Sequence, residues 1–384
     1  MNDQNGPWSE MWSEKLLPGA AAPQQLPPAT PLTLSWQPPR GLLDLCIVNL
    51  FLKLMTLGVY GFWAKTEVRK RIWSAVRING EPLQYTGTGK ELLLGFAIIF
   101  GLILLPVILV SYGVVAAYGN AAAGPAQLAT YALFFVLTGV GIYRAQRYRL
   151  SRTRWRAIQG SLPGSSLNYA WTYVWTALLI PLTAGWIIPW RTTKLQELIT
   201  RDMHFGNHPF RFTAGAGPLY LRFAILWFMA LILIVAAIIG VTAVSLPEID
   251  RYRDTLGKPS APSPQTIASI SGILVLSVVV YSVLSAWYRA HQQRHFAAHT
   301  HFDEATFAST VTARGLIWIG VTNILMVVAT LGILSPIAQA RSARYVVDNL
   351  SIKGRVNLAD VLQGAAEDIK RGEGLAQVFD IDAF

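Results

Sequence analysis

The stretch Leu57-Gly58-Val59-Tyr60-Gly61-Phe62-Trp63-Ala64-Lys65 decides how this chain folds. Ahead of it, Leu42 to Leu57 is an apolar run interrupted by Asp44, Asn49 and Lys53, shorter than the roughly 20 residues a helix needs to cross the hydrocarbon core. Gly58 suits the left-handed residue that closes such a helix. Behind it come the basic run Arg69-Lys70-Arg71, the turn Ile78-Asn79-Gly80 and a short strand from Leu83 to Tyr85. An apolar helix, a glycine break, a cationic helix and a strand therefore follow in that order.

The whole chain has the same character. Apolar residues make up 53% of 384 and charged residues 14%, against about 25% charged in a soluble domain, so lipid is the expected solvent. The net charge of +11 gathers at the ends of apolar segments. The positive-inside rule accounts for that pattern, and no recognition module for nucleic acid accompanies the Arg and Lys residues. The single cysteine, Cys46, excludes an intramolecular disulfide.

Working outward, residues 1–31 contain six prolines and read as a disordered tail. Leu92 to Tyr118 is long enough to span, with a kink expected at Pro106. The uncharged loop Gly119 to Gln127 turns it round, and Leu128 to Tyr143 returns. Arg144, Arg147, Arg149, Arg152, Arg154 and Arg156 then arrive with no acid among them, the strongest cytosolic marker in the chain. Leu167 to Ile188 is apolar but broken at Pro181 and Gly185. Leu219 to Val244 and Thr266 to Trp287 span, joined by a polar, proline-rich loop from Leu246 to Pro264. Leu316 to Leu331 is another short apolar helix, and a polar tail is expected from Ala338 to Phe384.

Internal repeats organise these segments. A shift of 127 residues lays Gly58 on Gly185, Trp63 on Trp190 and Pro82 on Pro209 without a gap; a shift of 274 lays Thr56-Leu57-Gly58 on Thr330-Leu331-Gly332 and Asn49 on Asn323. The expected organisation is a tail (1–31), a first membrane repeat (32–165), a second (166–313), a truncated third (314–364) and a polar cytosolic tail (365–384). The fold class is an all-α polytopic membrane protein built from this tandem repeat, with short β-strand elements at the cytosolic interface.

Two topologies compete. If every apolar segment crosses, there are seven spans and successive repeats face opposite sides, as in inverted-repeat transporters. If the first, fourth and seventh segments enter and leave on one face, breaking at Gly58, Gly185 and Gly332, every basic junction is cytosolic. The charges favour the one-sided reading, since Arg191, Lys194, Arg201 and Arg211 outweigh Glu197 and Asp202 at the middle junction. On that reading Leu32 to Trp36, Leu83 to Thr86 and Phe210 to Thr213, with their alternating residues, are expected to pair into a small cytosolic sheet.

The residues also resemble a family. Ile47-Val48-Asn49-Leu50, Thr56-Leu57-Gly58-Val59-Tyr60, Phe62-Trp63-Ala64-Lys65, Asn79-Gly80 and Tyr85-Thr86-Gly87-Thr88-Gly89 are similar to the YjgN family of bacterial inner-membrane proteins, as is Tyr148 to Arg156. The resemblance covers roughly residues 32 to 360 and implies a polytopic inner-membrane protein of unknown function. It supplies no catalytic residue. The chain departs from the pattern at His299-Thr300-His301-Phe302-Asp303-Glu304, which replaces the usual Asn-Gly turn.

Candidate chemistry is sparse. His291, His295 and His299 stand four apart on one helix face and are the metal candidates, weighed against a plain polar interfacial helix, because such linear spacing brings only two imidazoles to one ion. Asp44, Asn49, Lys53 and Asn323 are the intramembrane polar candidates, with Asn49 and Asn323 suited to interhelical hydrogen bonds. Gly87-Thr88-Gly89-Lys90 lacks the full spacing of a phosphate loop. The arginines from Arg144 to Arg156 are candidates for anionic lipid headgroups. Gly58, Trp63, Gly185, Trp190 and Gly332 define the repeat. No cofactor, no nucleic-acid partner and no enzymatic activity are expected. The function classes are a transporter or channel for a small solute or ion and, alternatively, a membrane-organising or lipid-interacting scaffold with short wedge helices.

Overall fold

The computed structural model describes residues 30–254, 263–356 and 361; the expectations for residues 1–29 and 365–384 lie outside them. Three helical hairpins share one construction. The first joins α1 (Leu42–Met55) to α2 (Gly61–Ala75). Each helix rises only about 20 Å. Between the first and second hairpins run α3 (Gly89–Ile99), a π-helical turn (Phe100–Leu104), α4 (Leu105–Tyr118) and α5 (Ala123–Ser151). The second hairpin is α6 (Ser166–Leu182) with α7 (Ile188–Asp202). After it come α8 (Gly217–Asp254) and α9 (Pro264–Ala298), and the third hairpin is α10 (Ala313–Ala329) with α11 (Ser335–Asp348).

Among the described residues, four helices are long and apolar enough to cross a membrane: Gly89–Tyr118, Asn120–Ser151, Gly217–Ile249 and Pro264–Ala298. At the kink expected near Pro106 the helix carries the π-helical turn Phe100–Leu104. That widened turn lets the Leu105 N–H reach back to Phe100 O, and Pro106 then sits in the first turn of α4, where a missing N–H costs least. The loop expected from Leu246 to Pro264 begins later than its composition suggested, since α8 continues through Pro247 to Asp254. The polar tail expected after Ala338 begins with α11, whose Pro336, Ala338, Ala340, Ala343 and Val347 form a buried face.

The strand content is larger than an all-α reading allows. The strands are β1 (Thr30–Pro31), β2 (Leu34–Trp36), β3 (Val76–Ile78), β4 (Glu81–Pro82), β5 (Gln84–Tyr85), β6 (Thr153–Trp155), β7 (Ile158–Ser161), β8 (His204–Phe205), β9 (His208–Phe212), β10 (Thr300–Phe302), β11 (Ala305–Ser309), β12 (Leu350–Lys353) and β13 (Arg355–Val356). An antiparallel eight-stranded sheet runs from β5 in number order to β12, while β2-β3-β4 and β1-β13 form two smaller sheets. Leu83 alone separates β4 from β5, and Gly354 alone separates β12 from β13. Chain continuity therefore links the three sheets. Their inner face gathers Phe302, Ala305, Val356 and Val361, with Leu32, Ile158, Phe205, Phe210, Phe307 and Ile352 packed against them.

The small sheet expected of these segments is thus present in altered form. Leu34–Trp36 pairs with Val76–Ile78, not with the later segments, and β5 and β9 share a sheet with β6, β7 and β8 between them. Thr30 and Pro31, expected in the disordered tail, form β1. At the junction after α9, Asp303 adopts the left-handed conformation (φ 54°) in the position that Asn79 holds (φ 50°) after α2, which answers the missing Asn-Gly turn.

The strands fix the topology. Those that follow α2, α5, α7, α9 and α11 all enter this one system, so all five junctions lie on one face of the helices. The seven-span arrangement, which puts Arg191 to Pro218 opposite its neighbours, is incompatible with that pairing. Neighbouring helices then close the ring: Leu45, Val68 and Ile72 of the first hairpin pack on Ala340 and Ala343 of the third.

Candidate functional site

The three hairpin tips are built alike. Thr56 Oγ1 donates to Leu52 O at 2.7 Å and accepts from Tyr60 N–H at 2.9 Å; Thr183 Oγ1 donates to Leu179 O at 2.8 Å and accepts from Ile187 N–H at 3.3 Å. Thr330 Oγ1 donates to Met326 O at 2.7 Å and accepts from Leu334 N–H at 3.3 Å. One hydroxyl thus ties the end of the entering helix to the start of the leaving one. Two left-handed residues follow each threonine: Leu57-Gly58, Ala184-Gly185 and Leu331-Gly332, with φ between 46° and 92°. The glycine N–H reaches back to Lys53 O, Ile180 O or Val327 O, at 2.7 Å in each case. A turn in an apolar medium must satisfy its own backbone, and these bonds meet part of that need.

The first two tips lie beside the early turns of the long helices next to them. Trp227 Nε1 donates to Ala184 O at 2.7 Å from about three turns into α8, which continues to Asp254. Phe62 meets Phe96 in the early turns of α3 with ring centroids 5.4 Å apart. A left-handed leucine is costly, about 1–2 kcal/mol, yet Leu57 and Leu331 are 95% and 94% exposed. On the outer faces, Ile47, Phe51 and Leu54 of α1, Leu167, Trp171 and Leu178 of α6, and Trp318, Ile324 and Leu325 of α10 are exposed as well.

The intramembrane polar candidates differ in their settings. Asp44 and Lys53 lie on the exposed side of α1. Asn49 is 4% exposed with its Oδ1 unpartnered. Asn323 Nδ2 donates to Ala338 O at 3.1 Å and Ser342 Oγ at 2.9 Å, an interhelical bond as expected, while its Oδ1 is likewise buried and unpartnered. Position 176, equivalent to 49 under the 127 shift, carries Thr176, fully buried and donating to Thr172 O at 2.5 Å.

The arginine cluster is engaged within the chain. Arg147 Nε donates to Leu162 O at 2.7 Å and its Nη2 to Gly164 O, while Arg149 bonds Gln146 at 2.8 Å. Arg152 pairs with Glu91 at 3.1 Å, Arg154 bonds Gln159 at 3.3 Å, and Arg156 grips Glu81 with two bonds of 2.7 and 2.9 Å. Arg144 also has an interaction within the chain. The bidentate bond to Arg156 holds the Glu81 carboxyl below its ordinary pKa and raises that of the guanidinium. Tyr143, under the Arg147 guanidinium at 5.5 Å, donates to Asp202 Oδ2 at 2.8 Å, fastening α5 to α7.

The histidines divide. His295 and His299 bring their ring centroids to 4.4 Å, but His295 Nε2 faces Gly215 O at 2.9 Å and His299 Nδ1 faces His295 O at 2.8 Å. Among the described residues no three metal-ligating side chains gather. His204 and His208 lie on paired strands across the turn at Gly206. The glycine-rich segment before α3 is a helix cap: Thr88 accepts from Glu91 N–H, and a Cβ on Gly89 would stand 2.6 Å from Trp63. Trp63 thus packs on a glycine, whereas Trp190 packs on Trp175 at 5.5 Å. Sequence reading missed Thr183, although the 127 shift lays Thr56 on it, and it missed Trp227, Glu81 and Glu91, whose partners are far away in sequence.

A family model described as a bacterial protein of unknown function (DUF898) matches residues 40–378. Among curated proteins, inner membrane protein YjgN of Salmonella typhimurium is 24% identical over 150 residues, an alignment covering 38% of this chain and 34% of that protein. The chain thus spans about a third of the length of that relative. No solved structure matches.

Proposed function

We propose, for a chain that belongs to the DUF898 family of bacterial proteins of unknown function, that it is a non-catalytic protein of the bacterial inner membrane whose three repeated hairpins enter one leaflet as wedges. The ring of strands faces the cytosol together with the C-terminus, as the positive-inside rule requires of the basic junctions. The similarity to inner membrane protein YjgN supports the location. The observation that carries the role is the pair of exposed leucines, Leu57 and Leu331, held in left-handed backbone at hairpin tips. Wedges confined to one leaflet expand it relative to the other, so the molecule bends or organises the bilayer around it.

The test is reconstitution into vesicles of phosphatidylethanolamine and phosphatidylglycerol at rising protein density, imaged by cryo-electron microscopy. Wild type should narrow or tubulate the vesicles, and the Leu57→Asp/Leu331→Asp protein, checked for folding, should do so much less. Vesicles of unchanged size at high wild-type density would refute the wedge role.

Transport is the second reading, and the buried, unpartnered amide oxygens of Asn49 and Asn323 favour it. Solute or ion flux through wild-type proteoliposomes that disappears in Asn49→Leu/Asn323→Leu would move the assignment to it.

A further inference from the structure

From Arg289 on, α9 is polar, and its end meets the linker that leads from β9 into α8. Thr213 N–H donates to His299 O at 3.0 Å, and His295 Nε2–H donates to Gly215 O at 2.9 Å. His299 Nδ1–H in turn donates to His295 O, one turn back along the helix, at 2.8 Å. A carbonyl oxygen only accepts, so these bonds fix the tautomer of each neutral imidazole. The lone pairs are left on His295 Nδ1 and His299 Nε2, and neither nitrogen has a hydrogen-bond partner among the described residues.

The two rings are partly exposed, with centroids 4.4 Å apart. Two imidazoles on one ion, each at a metal–nitrogen distance of about 2.0–2.1 Å, have centroids roughly 4.5–5.2 Å apart, so the pair already stands within about 1 Å of that separation. Histidines that ligate a metal donate their other ring N–H to a carboxylate or a backbone carbonyl, which orients the ring and raises its basicity. Both rings have that second bond. Spacing alone set His291, His295 and His299 on one helix face; the ring contact joins the last two. Among the described residues no third ligating side chain completes the set, so the other coordination positions fall to water or a small ligand.

We propose that His295 and His299 form a two-imidazole site for a borderline divalent ion of the first transition row, bound through His295 Nδ1 and His299 Nε2. Imidazole suits nickel, copper and zinc, and the general order of affinity puts copper(II) first. Magnesium and calcium, which take oxygen ligands, do not fit. An ion held there fastens the end of α9, tied through His295 to Gly215, beside the linker into α8. The site does not depend on the wedge role, since the ion sits at the strand end of α9 and the tips lie on other helices.

The experiment titrates the full chain, without an affinity tag and in detergent, with copper(II) and counts the bound imidazoles by pulsed electron paramagnetic resonance. The tightest site of the wild type should show two imidazoles, a result that needs no variant to fold. His299→Gln should leave one imidazole and weaken the site by at least the about 10–100-fold that loss of an outer-shell partner costs a metal centre. His295→Gln, whose amide can still reach Gly215 O, should do the same. His291→Gln and His204→Gln/His208→Gln should change neither count nor affinity, and excess magnesium should not displace the copper. A tightest wild-type site with fewer than two imidazoles, or one that survives in His295→Gln/His299→Gln, would overturn the proposal and leave the two histidines as caps of α9.

Discussion

Replacing Thr183 by valine removes one hydroxyl from a tip and leaves its shape unchanged. In the wild type that hydroxyl accepts the Ile187 N–H at 3.3 Å and donates to Leu179 O at 2.8 Å. Leu179 O also receives the Thr183 backbone N–H at 2.9 Å and stays satisfied. The Ile187 N–H has no such second partner among the described residues. Stranding one donor costs about 1–3 kcal/mol, and the cap preference itself about 1 kcal/mol, two descriptions of largely the same loss. The expected destabilisation of Thr183→Val is therefore about 1–2 kcal/mol. Thermal unfolding in nanodiscs should show the lower midpoint, with Thr183→Ser close to wild type. Because the tips use separate residues, Thr56→Val and Thr330→Val should each add a similar loss. A valine variant as stable as the serine one would refute the view that the hydroxyl holds the turn.

Gly139 lies where a Cβ would stand 2.9 Å from Ala170 Cα, so Gly139→Ala should push α5 from α6 and cost about 1–3 kcal/mol, read as a lower unfolding midpoint. Asn323→Leu removes two interhelical bonds, and a loss of about 0.6–1.7 kcal/mol is expected in the same assay. Glu81 has its carboxyl pKa lowered by Arg156 in the folded state, so its contribution is present above the ordinary carboxylate range and is lost as pH falls through the lowered value. The midpoint difference between wild type and Glu81→Gln should accordingly shrink on acidification, and also in high salt, since the pair is partly exposed.

The sequence revealed the hairpins better than the strands. Gly58, Gly185 and Gly332 mark the tips because a left-handed residue after an apolar run leaves a local signature, and the basic junctions announce their side. The ring of strands is less visible. Strands such as β4, β5 and β8 are two residues long, too short for an alternation to register, and β5 pairs with β6 from far along the chain. The same distance hid the fate of the arginines. No acid lies among Arg144 to Arg156, but Glu81 and Glu91 reach them once the sheet brings the first and second junctions together. Thr183 was legible, since it falls in register with Thr56 and Thr330.

The most direct test of the account is the sidedness of the junctions. In a Cys46→Ala background, single cysteines at Gln84, Asn207 and Glu304, all on the strand face, and at Asn120 in the opposite loop can be probed with a membrane-impermeant maleimide in right-side-out and inside-out vesicles. The first three should label from the same side, the cytosolic one, and Asn120→Cys from the other. Labelling of Asn207→Cys from the side opposite Glu304→Cys would show that α6 crosses the membrane and would contradict the one-sided hairpin architecture.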